Sequence, residues 1–255
     1  MAIENQVEDK NFLKAQRRVE VGTERPIEYY YVVGQNRLGL IDYVEVRQVL
    51  NDKFNGNLSQ AQFFAVAEQT RRIFTINKMM LERIAEDASV CPKLKFMVQV
   101  SSKWFTSPVK VELLGSLLDD VPENTILCFD AVTLAREGED ARIQLVKFAK
   151  DRKLKIMLDN VEYLNFIQFV GYHADYIRFD ARFINNKDEK FDHAFKFLRD
   201  YTKALDMKLV VKNVKNELLK NYYLKANADV LEGSGIYAPR KQLANILTDY
   251  KLQNT

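Results

Sequence analysis

A set of polar residues in this chain stands at, or just past, the ends of short apolar runs: Arg47, Gln99, Asp130, Asp159 with Asn160, Arg178 with Asp180, Lys212 and Glu232. Brought to one point, the acids could hold hard divalent cations through their oxygens and support phosphoryl chemistry. The same set carries Arg47, Arg178 and Lys212, whose charges can instead pair with those acids and leave little field for a metal. Metal-assisted chemistry and a seal of ion pairs are both open on residue types alone.

Other chemistries find less support. No Ser, His and Asp are placed as a triad, and there is no Gly-x-Ser-x-Gly elbow. His173 and His193 lie far apart with no Cys or carboxylate at ligand spacing, which argues against zinc. Cys91 and Cys128 sit beside apolar runs and read as buried, reduced thiols. A net charge of +3 spread over 38 basic and 35 acidic residues gives no footprint for a nucleic-acid polymer. No apolar run is long enough to span a bilayer, and Met1–Asn11 is too charged for a signal peptide, so a cytoplasmic protein is expected. Tyr29–Tyr31 could stack a base, but reads more simply as a packed strand; Met79–Met80 reads as helix core.

The elements that would position the polar set alternate regularly. Strand character marks Ile27–Val33, Leu38–Leu50 (with Asp42, Glu45 and Arg47 alternating against Leu40, Tyr43 and Val46), Leu94–Val100, Ile126–Phe129, Leu154–Leu158, Tyr176–Phe179, Lys208–Val211 and Ala228–Leu231. Helical periods follow from the second strand onward. Ser59 is placed to cap a helix through Phe63–Glu68, and another is expected over Ile76–Ile84. A loop is expected around Trp104–Pro108, and further helices near Val111–Leu118, over Ala141–Lys153 and Phe191–Leu205, at Leu218–Leu224, and over Leu243–Tyr250, which Pro239 would open. Between Leu158 and Tyr176 lies a short amphipathic segment, completing a strand–helix–strand unit that requires a parallel sheet. Residues 1–25 are polar and form an arm or linker, and Pro26 begins the body, so one α/β domain over residues 26–255 is expected. The pattern favours a single (β/α)8 TIM-like barrel, with site residues at the carboxyl ends of its strands. A doubly wound sheet would usually show a Gly-rich phosphate loop after its first strand, and none is present.

Several segments resemble, in order, the pattern of one known family. Gln60–Thr70 (QAQFFAVAEQT) is similar to its Phe-Ile and Ala-Glu helix, and Val98–Ser101 (VQVS) to its Val-Asn-Val-Ser strand. Lys155–Asn160 resembles the strand ending Leu-Asp-Asp, Ile177–Ile184 (IRFDARFI) the Ile-Lys-Ile-Asp strand, and Ala228–Pro239 the closing strand with its Gln-Gly and later Pro. The resemblance is to the EAL-domain family; it spans about Ile27–Leu252 and implies an EAL-type barrel, whose active members hydrolyse cyclic di-GMP with two divalent ions.

The departures fall on the chemistry that the resemblance implies. Tyr43 stands at the signature Glu, Gln99 at the Asn ligand, and Cys128 or Phe129 near the fourth-strand Glu. Asn160 replaces the second Asp of the acidic pair, with Val161–Glu162 after it. Arg178 replaces the strand Lys, and Lys212 and Lys215 stand where two carboxylates belong. The expectation is therefore a protein without metal, cofactor or phosphodiesterase activity, and with no catalytic residues. Related inactive domains bind partner proteins or sense the nucleotide. The leading expectation is a regulatory or protein-interaction module in bacterial cyclic di-GMP-related signalling, with a protein partner and room for a homodimer. The alternative is a metal-independent cyclic di-GMP receptor. Its nucleotide-binding candidates are Arg47, Asp159, Asn160, Arg178, Asp180, Lys212 and Glu232, with Glu232 placing a negative charge near a dianionic ligand.

Overall fold

The computed structural model describes residues 28–49, 51–52, 56–57, 60–161, 170–183 and 189–253. Eight strands close into a barrel: β1 (Glu28–Asn36), β2 (Ile41–Val49), β3 (Phe96–Gln99), β4 (Ile126–Asp130), β5 (Lys155–Asp159), β6 (Tyr176–Asp180), β7 (Lys208–Lys212) and β8 (Val230–Glu232). Each expected strand is present, and the barrel, not the doubly wound sheet, is the architecture. Strands β2 to β8 run parallel in chain order, whereas β1 lies antiparallel between β8 and β2. The reason is local. β1 and β2 are joined by a tight turn in which Asn36 Oδ1 accepts from the backbone N–H of Leu38 (2.9 Å) and Leu40 (3.1 Å), and Gly39 takes φ +77°. A turn this short can join only antiparallel strands.

Helices fill the crossovers: α1 (Gln60–Gln69), α2 (Ile73–Val90), α3 (Pro108–Leu117), α4 (Ala131–Arg136), α5 (Glu139–Asp151), α6 (Glu189–Ala204), α7 (Glu217–Lys225) and α8 (Leu243–Gln253). The helical segment expected near Tyr163–Val170 lies largely outside the described residues, as do Ser59 and the arm, residues 1–25. Two expectations change. The loop expected at Trp104–Pro108 is a 3-10 turn, Ser102–Thr106, with Trp104 buried and its indole N–H donating to Asn77 Oδ1 at 3.0 Å. Pro239 does not open the last helix, which starts at Leu243. The intervening Arg240 exchanges backbone hydrogen bonds with Tyr31 of β1 (2.8 and 3.0 Å), so its backbone is bound to the sheet and not free to begin a helix.

Strand side chains alternate between two cores. The outward set, including Val44, Val46, Val98, Leu127, Phe129, Leu158, Ile177, Phe179 and Leu209, packs beneath the helices. The inward set is a smaller plug: Tyr43, Met97, Ile126, Cys128, Met157, Tyr176, Val210 and Val230. The plug is apolar at mid-height because nothing there can solvate a charge. Continuing each inward series toward the carboxyl end leads to a polar residue: Glu45, Gln99, Asp130, Asp159, Arg178, Lys212 and Glu232. Both cysteines are buried and unpaired.

Gly34 of β1 makes this interior possible. A Cβ there would lie 2.7 Å from Tyr43 Cζ, and the Tyr43 ring cannot swing aside because its hydroxyl donates to Glu232. Gly34→Ala is therefore expected to cost roughly 1–3 kcal/mol by overpacking, read as a lower urea midpoint with an unchanged slope. An unchanged midpoint would show that the Tyr43 ring yields.

Candidate functional site

Arg178 stands at the centre of the barrel mouth. Its side chain is 2% exposed, and it is ringed by Glu45 of β2, Asp159 of β5 and Glu232 of β8. Nη1 donates to Glu45 Oε2 at 2.9 Å and lies 3.4 Å from both Glu232 oxygens, while Nη2 donates to Asp159 Oδ2 at 2.7 Å. A planar guanidinium suits this job, because its fork can face carboxylates on different strands at once.

A second cation extends the cluster. Lys212 Nζ donates to Asp159 Oδ1 at 2.7 Å and to Asn160 Oδ1 at 2.6 Å. Asn160 adopts φ +57°, a conformation Asn tolerates better than most residues, and its Nδ2 donates to Asp130 Oδ2 at 2.7 Å. Asp130 in turn caps α4, accepting from the Thr133 N–H at 2.8 Å. On the other side, Arg47 pairs with Glu45 and lies 3.8 Å from Glu232. A continuous ion bar thus crosses the mouth from Arg47 through Glu45, Arg178 and Asp159 to Lys212.

Of the residues singled out from sequence, the fold joins Arg47, Asp159, Asn160, Arg178, Lys212 and Glu232 in this network. Asp180 is placed elsewhere. Its carboxylate accepts from the Arg182 side chain (2.6–3.0 Å), the Arg182 N–H (2.9 Å) and Asn213 Nδ2 (2.8 Å). Glu45 was missed, yet it is fully buried and holds both arginines. The signal was present in the period of β2, where Tyr43, Glu45 and Arg47 share one face. In the alternation of Asp42, Glu45 and Arg47 against Leu40, Tyr43 and Val46, the tyrosine counts as apolar and hides that shared face.

The electrostatics follow from burial opposed by pairing. Burial alone would push Asp159 and Glu45 upward. Arg178 with Lys212 around Asp159, and Arg178 with Arg47 around Glu45, outweigh it and hold both carboxyls below the usual range. Glu232 differs. Burial, reinforced by the nearby Glu45 charge, raises it in spite of Arg178, Arg47 and the Tyr43 hydroxyl. Burial lifts the Tyr43 hydroxyl and the Cys128 thiol far above their ordinary values, so neither is a nucleophile or anionic ligand here.

The oxygen set does not fit a pair of divalent ions. Both oxygens of Asp159 are taken by Arg178 and Lys212, and the Lys212 ammonium itself sits between Asp159 and Asn160 oxygens. Among the described residues, no three His, Cys, Asp or Glu side chains are grouped to hold a metal. The bar leaves two small clefts at the mouth. One of about 140 Å³ is lined by Glu68, Gln99, Ser101, Ser102, Asp130 and Asn160 among others. The other, of about 210 Å³, is lined by Arg47, Lys212, Lys215, Glu232, Gly233 and Ser234 among others.

The EAL domain family model matches residues 25–239. The chain belongs to the EAL-domain family. Among solved structures, the barrel is similar to the PaMucR phosphodiesterase in complex with cyclic di-GMP, at 18% identity and a TM-score of 0.76, covering 90% of this chain and 97% of that one. The EAL domain of Xanthomonas citri FimX in complex with cyclic di-GMP is also similar, at 14% identity and a TM-score of 0.72, with 94% and 96% coverage. The EAL enzyme Bd1971, bound to cAMP and cyclic di-GMP, gives 15% identity and a TM-score of 0.78, with 98% and 71% coverage. Among curated proteins, none matches the chain by sequence. No helix among the described residues is long and apolar enough to cross a membrane.

Two outcomes are expected from the cluster. Arg178→Met leaves three buried carboxylates without their shared cation and should cost about 3–5 kcal/mol, measured by urea unfolding. Loss of well under 1 kcal/mol would mean that water solvates the cluster. Glu232 gives a pH signature. A carboxyl raised by folding contributes stability that is fully present below its unfolded value, about 4.3, and is lost as pH rises through the folded value. The Tm of Glu232→Gln relative to wild type should therefore climb as pH rises above the unfolded value. A difference that stayed flat or fell would contradict the assignment.

Proposed function

We propose that this EAL-domain protein is a catalytically inactive member that acts as a regulatory or protein-interaction module in cyclic di-GMP-related signalling. The observation that carries this reading is the ion bar. The carboxylates at the mouth are spent on Arg47, Arg178 and Lys212, and a cation of the protein stands within the Asp159–Asn160 oxygens. Binding a divalent ion there would require expelling that ammonium and stripping Asp159 from Arg178, at a cost of several kcal/mol in desolvated charge. No hydrolytic step is assigned to any residue.

A second reading, metal-independent binding of cyclic di-GMP, is favoured by the partial exposure of Arg47 (29%) and Lys212 (13%) at the 210 Å³ cleft. Arg178, Asp159, Asp180 and Glu232 are buried in contacts of their own. Arg178, Asp159 and Asp180 support the fold around such a ligand without lining that cleft, whereas Glu232 lines it and sets a carboxyl beside the ligand.

The test is turnover and calorimetry with cyclic di-GMP in Mg²⁺, in Mn²⁺ and in chelator. No hydrolysis under any condition is expected, and linear product formation would overturn the proposal. Chelator-resistant binding that Arg47→Ala abolishes, with the fold intact by circular dichroism, would promote the receptor reading over the interaction module.

A further inference from the structure

The 210 Å³ cleft has an architecture of its own. Two loops make it, the one after β7 and the one after β8, and they are fastened backbone to backbone. Val214 N–H donates to Glu232 O, and Gly235 N–H donates to Val214 O, both at 2.9 Å. The approach is so close that a Cβ on Gly233 (φ +141°) would lie 2.3 Å from Val214 O. Lys215 is therefore carried on a rigid edge, not on a free loop.

The charges around this edge do not balance. Arg47, Arg178, Lys212 and Lys215 face Glu45, Asp159 and Glu232, and Lys215 is the cation left over. Lys215 is exposed and makes no ion pair or hydrogen bond among the described residues. Arg47 keeps a buried Nε without a hydrogen-bond partner among the described residues. Pro239, on the cleft wall, is followed by exposed Arg240 and Lys241, which extend the basic rim outward. Among the described residues, only Lys241 of that pair meets an acid, Glu28, at 2.9 Å.

At about 210 Å³ the cleft is smaller than the ~300–1,000 Å³ typical of small-molecule sites. It admits one anionic group, while the rim offers further cations to the groups beside it. We infer that the cleft bounded by Arg47, Lys212 and Lys215, with the Arg240–Lys241 rim, docks an acidic segment of a partner protein through an inserted carboxylate. The inference rests on the interaction-module reading and names the chemistry of its partner. The contact would be steered by the basic rim and weakened by salt.

The experiment is fluorescence anisotropy with a labelled oligoglutamate peptide, competed with inorganic phosphate and with cyclic di-GMP. Saturable, salt-sensitive peptide binding is expected. Lys215→Glu should weaken it by roughly tenfold, Lys215→Arg should retain it, and Lys251→Glu on α8 should change it little. Circular dichroism confirms that each variant folds. Three results would overturn the inference: no peptide binding at low salt, an equal loss in Lys215→Glu and Lys251→Glu, or displacement of the peptide by cyclic di-GMP or phosphate at far lower concentration. Failure here without turnover would leave the inactive-module proposal standing, whereas turnover with intact peptide binding would overturn only that proposal.

Discussion

The buried guanidinium of Arg178 is the constraint on which the rest of the mouth depends. A cation taken out of water at 2% exposure carries a desolvation cost of several kcal/mol, which only well-placed carboxylates can offset. Those carboxylates come from β2, β5 and β8, strands far apart in sequence and on different sides of the barrel. Closure of the barrel is thus tied to the cluster: strands that failed to close would leave Arg178 and its acids unpaired. The apolar plug below supplies the low dielectric that makes the pairing strong, and Tyr43, seated over Gly34, joins plug to cluster through Glu232.

The same arrangement changes what the mouth can do. A parallel barrel collects polar strand ends around a concave pit, which is why such barrels commonly place sites there. In this protein the pit is bridged by side chains of alternating sign. Space that could have been one site is divided into a cleft of hydroxyls and carboxylates and a cleft of cations. Two replacements shape the cationic side. Lys212 is drawn inward to Asp159 and Asn160, and Lys215, three residues on, remains outside without a partner among the described residues. The inner lysine is spent on structure, and the outer one is available for recognition.

Much of the fold was legible because its signals are short-range. The strands are brief apolar runs, their crossovers carry helical periods, and both patterns arise from local packing geometry. The family resemblance rested on such segments, including Phe63–Glu68 and Ile177–Asp180. Legibility failed where a residue's role depends on distant backbone. Pro239 looked like a helix start, but Arg240 is held by Tyr31 of β1. Trp104 looked like loop, but its indole has a buried acceptor on α2. Glu45 looked like an ordinary polar residue in an alternating strand, and only the closed barrel brings it to Arg178.

By itself, the sequence determined the strand–helix order, the barrel class, the positions of the polar strand ends, and, along the family pattern, Arg178 in place of a lysine and Lys212 and Lys215 in place of carboxylates. All of these follow from residue type and spacing. It left open whether acids and cations at the strand ends would hold a ligand or hold each other. Tertiary structure decided that, because pairing falls off steeply with distance and rises with burial. Neither quantity exists until the eight strands close. Asp159 and Asp180, alike in sequence as acids ending their strands, then part company. One completes the bar with Arg178 and Lys212, and the other turns to Arg182 and Asn213.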